Sequence, residues 1–283
     1  MQSKTNIVSS NGLNLWTENL TSGSCHLFCI LISGAGAPAM FWTDEFCKKL
    51  VNSSYSVIRF DHRDQGLSDG VDWDKNPYTI EDLAKDIVNI LDACNINKAH
   101  IVGHSMGGMI AQWLAFACPQ RIISYTSISV ATCGITGHPP KEMIDVLMKN
   151  QPTQNFTDDL NGFMRSWRIL NGKYEIDNEL AKKYTEDFYI RSKHPVGVAW
   201  HHIWCQQNYI DLGNQIKQIT IPGLFIHGEL DPLIPVKGAV ETQKIVPNSR
   251  LIIIPRMGHM IFNRALEDII CNALIEHFKT SEA

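Results

Sequence analysis

Apolar residues in this chain fall in short blocks whose spacing switches repeatedly between the period of a buried strand and that of an amphipathic helix. Near the start, segments 5–9 and 13–19 alternate around Asn11-Gly12, a dipeptide suited to the positive φ angles of a tight hairpin. Segment 26–32 is continuously apolar, as expected of a strand covered on both faces. It runs into the turn-rich Ser33-Gly34-Ala35-Gly36-Ala37-Pro38. A helix is predicted over 42–51, with Phe46 and Leu50 on one face, and the next strand over 56–60. Thr79 precedes Asp82 by three residues, the spacing of a capped helix start. Ile80, Leu83, Ile87, Ile90 and Leu91 then follow at steps that form one apolar stripe. A strand is expected over 99–102 with Gly103 ending it, then a mostly apolar and hence buried helix over 106–118, then a strand within 121–130.

The rhythm changes between Gly134 and Leu212, where no buried-strand block occurs. Helical periodicity appears instead, for example over 142–148 and 180–188. That stretch holds ten of the 25 Phe, Trp and Tyr residues, an excess that suits either a cavity wall or a small helical core. The strand–helix alternation then resumes with 221–227, 236–245, 250–254 and 266–278. The pattern predicts an α/β fold with a mostly parallel, doubly wound sheet. The core domain is expected over 1–133 and 213–283, with a helical cap, or lid, inserted over 134–212.

Composition narrows the class of protein. At 283 residues, 44% hydrophobic and 19% charged, the chain has enough apolar material for a sizeable core. Its 25 basic and 29 acidic residues give a net charge of −4, and no basic run interrupts the balance. Neither nucleic acid nor an anionic membrane is an expected partner. No apolar run approaches the roughly 20 residues of a membrane span, and the first residues lack the apolar stretch of a secretory signal. A cytoplasmic location is expected. Eight scattered cysteines, three of them (Cys29, Cys118 and Cys271) inside apolar segments, read as reduced, buried small hydrophobes.

Three segments carry chemistry. Gly103-His104-Ser105-Met106-Gly107 has the G-x-S-x-G spacing between a predicted strand and a predicted helix, which would hold Ser105 in a sharp turn at the carboxyl end of the sheet. The helix N-terminus behind it offers free amides to a developing oxyanion, Met106 first among them. Serine needs a base. His259 follows the last predicted strand, and Asp231 follows the strand before it, 28 residues earlier. That interval leaves room for one helix and one strand, so both can reach one edge of the sheet. Glu229 is the rival acid, ranked below Asp231 because Pro232 fixes the loop directly after Asp231. Ala35, behind Gly34, is the second candidate oxyanion donor.

These residues resemble the α/β hydrolase superfamily over nearly the whole chain, including its serine–acid–histidine order. Asp61-His62-Arg63-Asp64-Gln65-Gly66-Leu67-Ser68 resembles the superfamily's D-x-R-G-x-G-x-S loop, except that Asp64 stands where Gly is usual. The run Arg59-Phe60-Asp61-His62-Arg63-Asp64 and the insertion segment Ser166-Trp167-Arg168-Ile169-Leu170-Asn171-Gly172 further resemble the aclacinomycin methylesterase branch. The resemblance implies a catalytic triad of Ser105, Asp231 and His259, an oxyanion hole of Ala35 and Met106, and no cofactor. It implies a serine hydrolase that cleaves a methyl or other small-alcohol ester of a small, largely apolar molecule.

Perhydrolase, thioesterase, lactonase and C–C bond hydrolase activities use the same triad and stay open. A non-catalytic binding protein of the same fold is the reading from another class. Ser105 argues against chemistries that need a carboxylate at the elbow. His201 and Cys205 stand four apart, as two metal ligands on a helix would, yet no third ligand has suitable spacing, so no metal is expected. Trp167, Trp200 and Trp204 suit either a substrate pocket or the insertion's own core. No patch in the sequence declares an interface between copies.

Overall fold

The computed structural model describes the chain except for residues 24–25, 131–139, 144, 146–152, 154, 194–198, 208–211, 214 and 283. The first hairpin joins β1 (Gln2–Ser10) to β2 (Leu13–Thr21). Asn11 and Gly12 both take positive φ, 49° and 83°, the geometry a two-residue turn demands. Both strands run longer than their alternating cores because the exposed polar residues of β1, Gln2 to Lys4, pair in register without contributing an apolar signal.

Next come β3 (Phe28–Ile32), α1 (Asp44–Asn52), β4 (Ser56–Phe60), α2 (Ile80–Ala93), β5 (Ala99–His104), α3 (Met106–Ala117) and β6 (Ile122–Ile128). After β6 the described helices are α4 (Phe156–Leu170), α5 (Asn178–Arg191) and α6 (Ala199–Gln207). The chain closes with β7 (Gly223–Gly228), α7 (Val236–Ile245), β8 (Ser249–Ile254) and α8 (Arg264–Glu282). Helix α1 starts two residues later than the apolar pattern suggests. The Thr43 side chain caps it, and Trp42 is instead buried in the core behind a short turn. At α2 the predicted cap is reciprocal: Thr79 accepts from the Asp82 amide and Asp82 from the Thr79 amide.

One eight-stranded sheet results, in the order β1-β2-β4-β3-β5-β6-β7-β8. From β4 onward every pair is parallel; β1 with β2 and β2 with β4 are antiparallel. Alternate residues feed two cores. Ile30, Ile58, Ile101 and Phe225 meet α2 and α3 on one face. Leu31, Val57, Val102 and Leu224 meet α1 and α8 on the other. The parallel strands therefore read as unbroken apolar runs.

Gly103 does not end β5. The strand continues to His104, which pairs with Ile128. The glycine is needed because α3 crosses over it: a Cβ there would lie 1.9 Å from the Gly107 carbonyl oxygen. Helices α4 to α6 lie in the chain between β6 and β7, which are hydrogen-bonded neighbours. The expected helix over 142–148 lies mostly outside the described residues, whereas that over 180–188 forms the middle of α5. Trp167 packs on Phe262, with ring centroids 4.5 Å apart, and joins Phe163 and Tyr184 in the insertion's own core. Trp200 and Trp204 cluster with each other, and Trp204 also meets Trp73.

Candidate active site

Ser105 stands at the junction of β5 and α3 with φ 52° and ψ −121°, a conformation L-residues rarely adopt. The surrounding backbone enforces it. The Ser105 amide donates to Ile128 of the neighbouring strand at 2.9 Å, while its carbonyl already accepts from the Gly108 amide of the helix at 2.8 Å. Gly107 lets the helix pass the end of β3, since a Cβ there would sit 2.3 Å from the Ile32 carbonyl oxygen. The serine is half-buried, and Met106 behind it is the first residue of α3.

His259 and Asp231 meet it at the same edge. His259 Nε2 lies 3.1 Å from Ser105 Oγ, and His259 Nδ1 lies 2.8 Å from Asp231 Oδ2. A carboxylate only accepts, so Nδ1 carries the proton and Nε2 presents its lone pair to the hydroxyl. The other Asp231 oxygen accepts from the amides of Leu233 and Ile234, at 2.9 and 2.8 Å. Burial alone would raise the Asp231 carboxyl, but the facing His259 and these hydrogen bonds hold it below the usual carboxylate range. Glu229 is turned elsewhere and accepts from the Arg256 amide at 3.1 Å. An imidazole held in this way can take the hydroxyl proton while the carboxylate stabilises the cation formed.

Behind the pair, His104 Nε2 donates to the His259 carbonyl at 2.9 Å, and the ring stacks on Phe41. Burial, then the neighbouring His259, push the His104 imidazole down to about 3. On the far side, the loop after β3 lies against the serine: a Cβ on Gly34 would come within 3.2 Å of the Ser105 Cβ. Ala35 is the next residue of that loop, and Met106 follows the serine as the first residue of α3.

Other contacts left no local trace in the sequence. The Leu170 carbonyl, at the end of α4, accepts from the amides of both His259 and Met260, at 2.6 and 3.2 Å. The Lys173 amide donates to the Arg256 carbonyl at 2.8 Å, and Gly172 bridges Met257. The insertion segment that carries the family resemblance is thus the backbone template of the histidine loop. Its glycine, Gly172, sits in the left-handed region at φ 66°.

From the core, Asp61 accepts from the Ala39 and Leu67 amides at 2.7 and 3.0 Å and pairs with Arg191 of α5 at 2.9 Å. The two helix positions weighed as metal ligands take separate partners. His201 Nδ1 lies 2.9 Å from Asp64 Oδ2, and Cys205 Sγ donates to the His202 carbonyl at 3.3 Å.

A model of the alpha/beta hydrolase fold matches residues 27–263. The rhodomycin D methylesterase DauP of Streptomyces sp. (strain C5) is 28% identical, over 98% of this chain and 99% of its own length. A 2-hydroxy-6-oxononadienedioate/2-hydroxy-6-oxononatrienedioate hydrolase of Cupriavidus pinatubonensis is 25% identical over 86% of each chain. Among solved structures, the esterase EaEST of Exiguobacterium antarcticum superposes with a TM-score of 0.79 at 19% identity, covering 98% of this chain and 100% of that one. The meta-cleavage product hydrolase of Pseudomonas fluorescens IP01 does so with a TM-score of 0.79 at 20% identity, covering 98% of both.

Proposed function

The chain belongs to the α/β hydrolase fold family, and from that premise we propose that it is a serine hydrolase of carboxylic esters, with Ser105 as nucleophile, His259 as general base and Asp231 as its acid partner. The observation that carries the reading is the chain of two hydrogen bonds, 2.8 and 3.1 Å, from Asp231 through His259 to Ser105. In this reading His259 takes the Ser105 proton as Oγ attacks the ester carbonyl. The amides of Ala35 and Met106 receive the oxyanion, each worth about 3 kcal/mol of barrier. His259 then protonates the departing alcohol. A water, deprotonated by the same imidazole, releases the acid from the acyl-enzyme.

The near full-length similarity to a rhodomycin D methylesterase supports a methyl or other small-alcohol ester of a small, largely apolar molecule as substrate. Segment 134–212 acts as the cap over the core of 1–133 and 213–283. A cytoplasmic site of action fits a chain in which no described helix is long and apolar enough to cross a membrane.

The test is hydrolysis of p-nitrophenyl butyrate and of aromatic-acid methyl esters by the full chain. Ser105→Ala is expected to lower kcat by at least about 10^4-fold with an unchanged thermal midpoint, and a serine-directed phosphonate should abolish turnover of the unaltered protein. Turnover that survives Ser105→Ala sinks the assignment. Activity on a 2-hydroxy-6-oxo dienoate but on no ester would move the substrate to the C–C hydrolase class.

A further inference from the structure

Two buried histidines outside the triad grip the loop that carries Ala35. His62, on the loop after β4, donates from Nε2 to the Ser33 carbonyl at 3.2 Å. His202, on α6, accepts at Nδ1 from the Gly36 amide at 3.1 Å, and its Nε2 donates to the Arg63 carbonyl at 3.0 Å. Both side chains are fully buried, and the two rings meet edge to face with centroids 5.5 Å apart.

The polarity of each contact is fixed. A carbonyl can only accept and an amide can only donate, so His202 is neutral and protonated on Nε2. Burial keeps both imidazoles uncharged, pushing His62 down to about 4 and His202 to about 3.

The gripped groups bracket one peptide. The Ala37 amide donates to the Gly34 carbonyl at 3.2 Å, closing a turn with Ala35 and Gly36 at its centre. Gly36 sits at φ 71°, the type II form. That form differs from type I by rotation of the Ala35–Gly36 peptide, whose N–H is the group His202 holds. The Ser33–Gly34 peptide is held by His62. The Gly34–Ala35 peptide, which bears the Ala35 amide, lies between the two.

We propose that His62 and His202 are positioning residues for ester hydrolysis: a clamp, one half from the core and one from the insertion, that sets the direction of the Ala35 amide toward the oxyanion. The inference rests on the serine hydrolase reading above. His202 also makes the oxyanion loop sensitive to the seating of α6, so the insertion reaches the reacting atoms without touching substrate.

The test exploits the fixed polarities. An Asn oxygen can stand in for His Nδ1 as acceptor, and a Gln nitrogen for His Nε2 as donor. At position 202, Asn should keep activity within about threefold, while Gln and Ala should lose about 10- to 100-fold in kcat with little change in KM. At position 62 the order should reverse, with Gln active and Asn impaired. Affinity for an aryl trifluoromethyl ketone, whose adduct carries the oxyanion, should fall in parallel with kcat. Circular dichroism checks that each variant is folded, and if one position does not tolerate change the pair at the other decides. Equal losses for Asn and Gln, losses confined to KM, or no loss at all overturn the clamp. Failure of the underlying reading shows separately, as turnover that survives Ser105→Ala.

Discussion

Asp64 sits at φ 69°, in the left-handed region where Gly, Asn and Asp are the residues most readily accommodated. The sequence shows only that an aspartate stands where the family's loop usually has glycine. The structure supplies the reason. Its carboxylate accepts from the Val71 amide at 2.6 Å and the Tyr78 hydroxyl at 2.8 Å, and meets His201 of α6 at 2.9 Å. A glycine would relax the backbone but leave these groups without their partner. Asp64→Gly is therefore expected to lower stability by roughly 1–3 kcal/mol net, and Asp64→Asn by less, because Asn tolerates the same φ and keeps one acceptor. Urea unfolding checks this, and an unchanged midpoint for the glycine variant would show the three contacts to be worthless. Ser105 is the complementary case. Its strained turn is written in the flanking glycines, which is why the candidate nucleophile could be singled out from sequence while the contacts that hold the loops around it could not.

At the scale of elements, the turn after α4 joins the insertion to the histidine loop through backbone alone. A Cβ on Gly172 would lie 2.3 Å from the Arg256 carbonyl oxygen, at a φ of 66° that already disfavours a side chain. Gly172→Ala should open the Gly172–Met257 bridge, shift His259 and lower kcat by about 100-fold, with a lower thermal midpoint but retained secondary structure. Unchanged kcat would mean that the histidine loop holds its place without the insertion. Strands β3 and β4, the Asn11-Gly12 hairpin, the Thr79 cap and helix α7 were legible because each is specified by residues adjacent in sequence. The Asp231 and His259 loops were legible because strand order puts them at one edge. The grip of Leu170 on His259 and of His202 on Gly36 was not. Each is a hydrogen bond between groups 89 or more residues apart, and backbone contacts of that range leave no periodicity. His202 itself was visible only within a stretch weighed for metal ligands.

Across the whole molecule, the insertion braces both halves of the candidate site, the His259 loop through α4 and the Ala35 loop through α6, while Arg191 of α5 ties it to Asp61. This bracing relies on histidines that must stay neutral. Burial pushes His62, His100 and His277 down to about 4, and His104 and His202 to about 3. Each folded value lies below the unfolded value of about 6.5, so the unfolded chain binds these protons first. Their contribution is complete above about pH 6.5 and is lost as pH falls toward 4, by up to about 1.4 kcal/mol per pH unit for each group. Burial raises the Asp61, Asp86 and Glu267 carboxyls, which opposes the loss as they take up protons in the folded chain. The five imidazoles all work in one direction from about pH 6.5 downward. Several acting together are comparable to the whole stability of a domain, so the urea midpoint should drop steeply below about pH 6.5, with net proton uptake on unfolding. His277, whose ring donates to the Tyr125 carbonyl at 3.2 Å, lies apart from the candidate site. His277→Gln should reduce the pH slope by about one proton while leaving ester turnover in place. A flat stability profile between pH 7 and 5 would mean that the buried imidazoles take up protons in the folded protein as readily as in the unfolded chain.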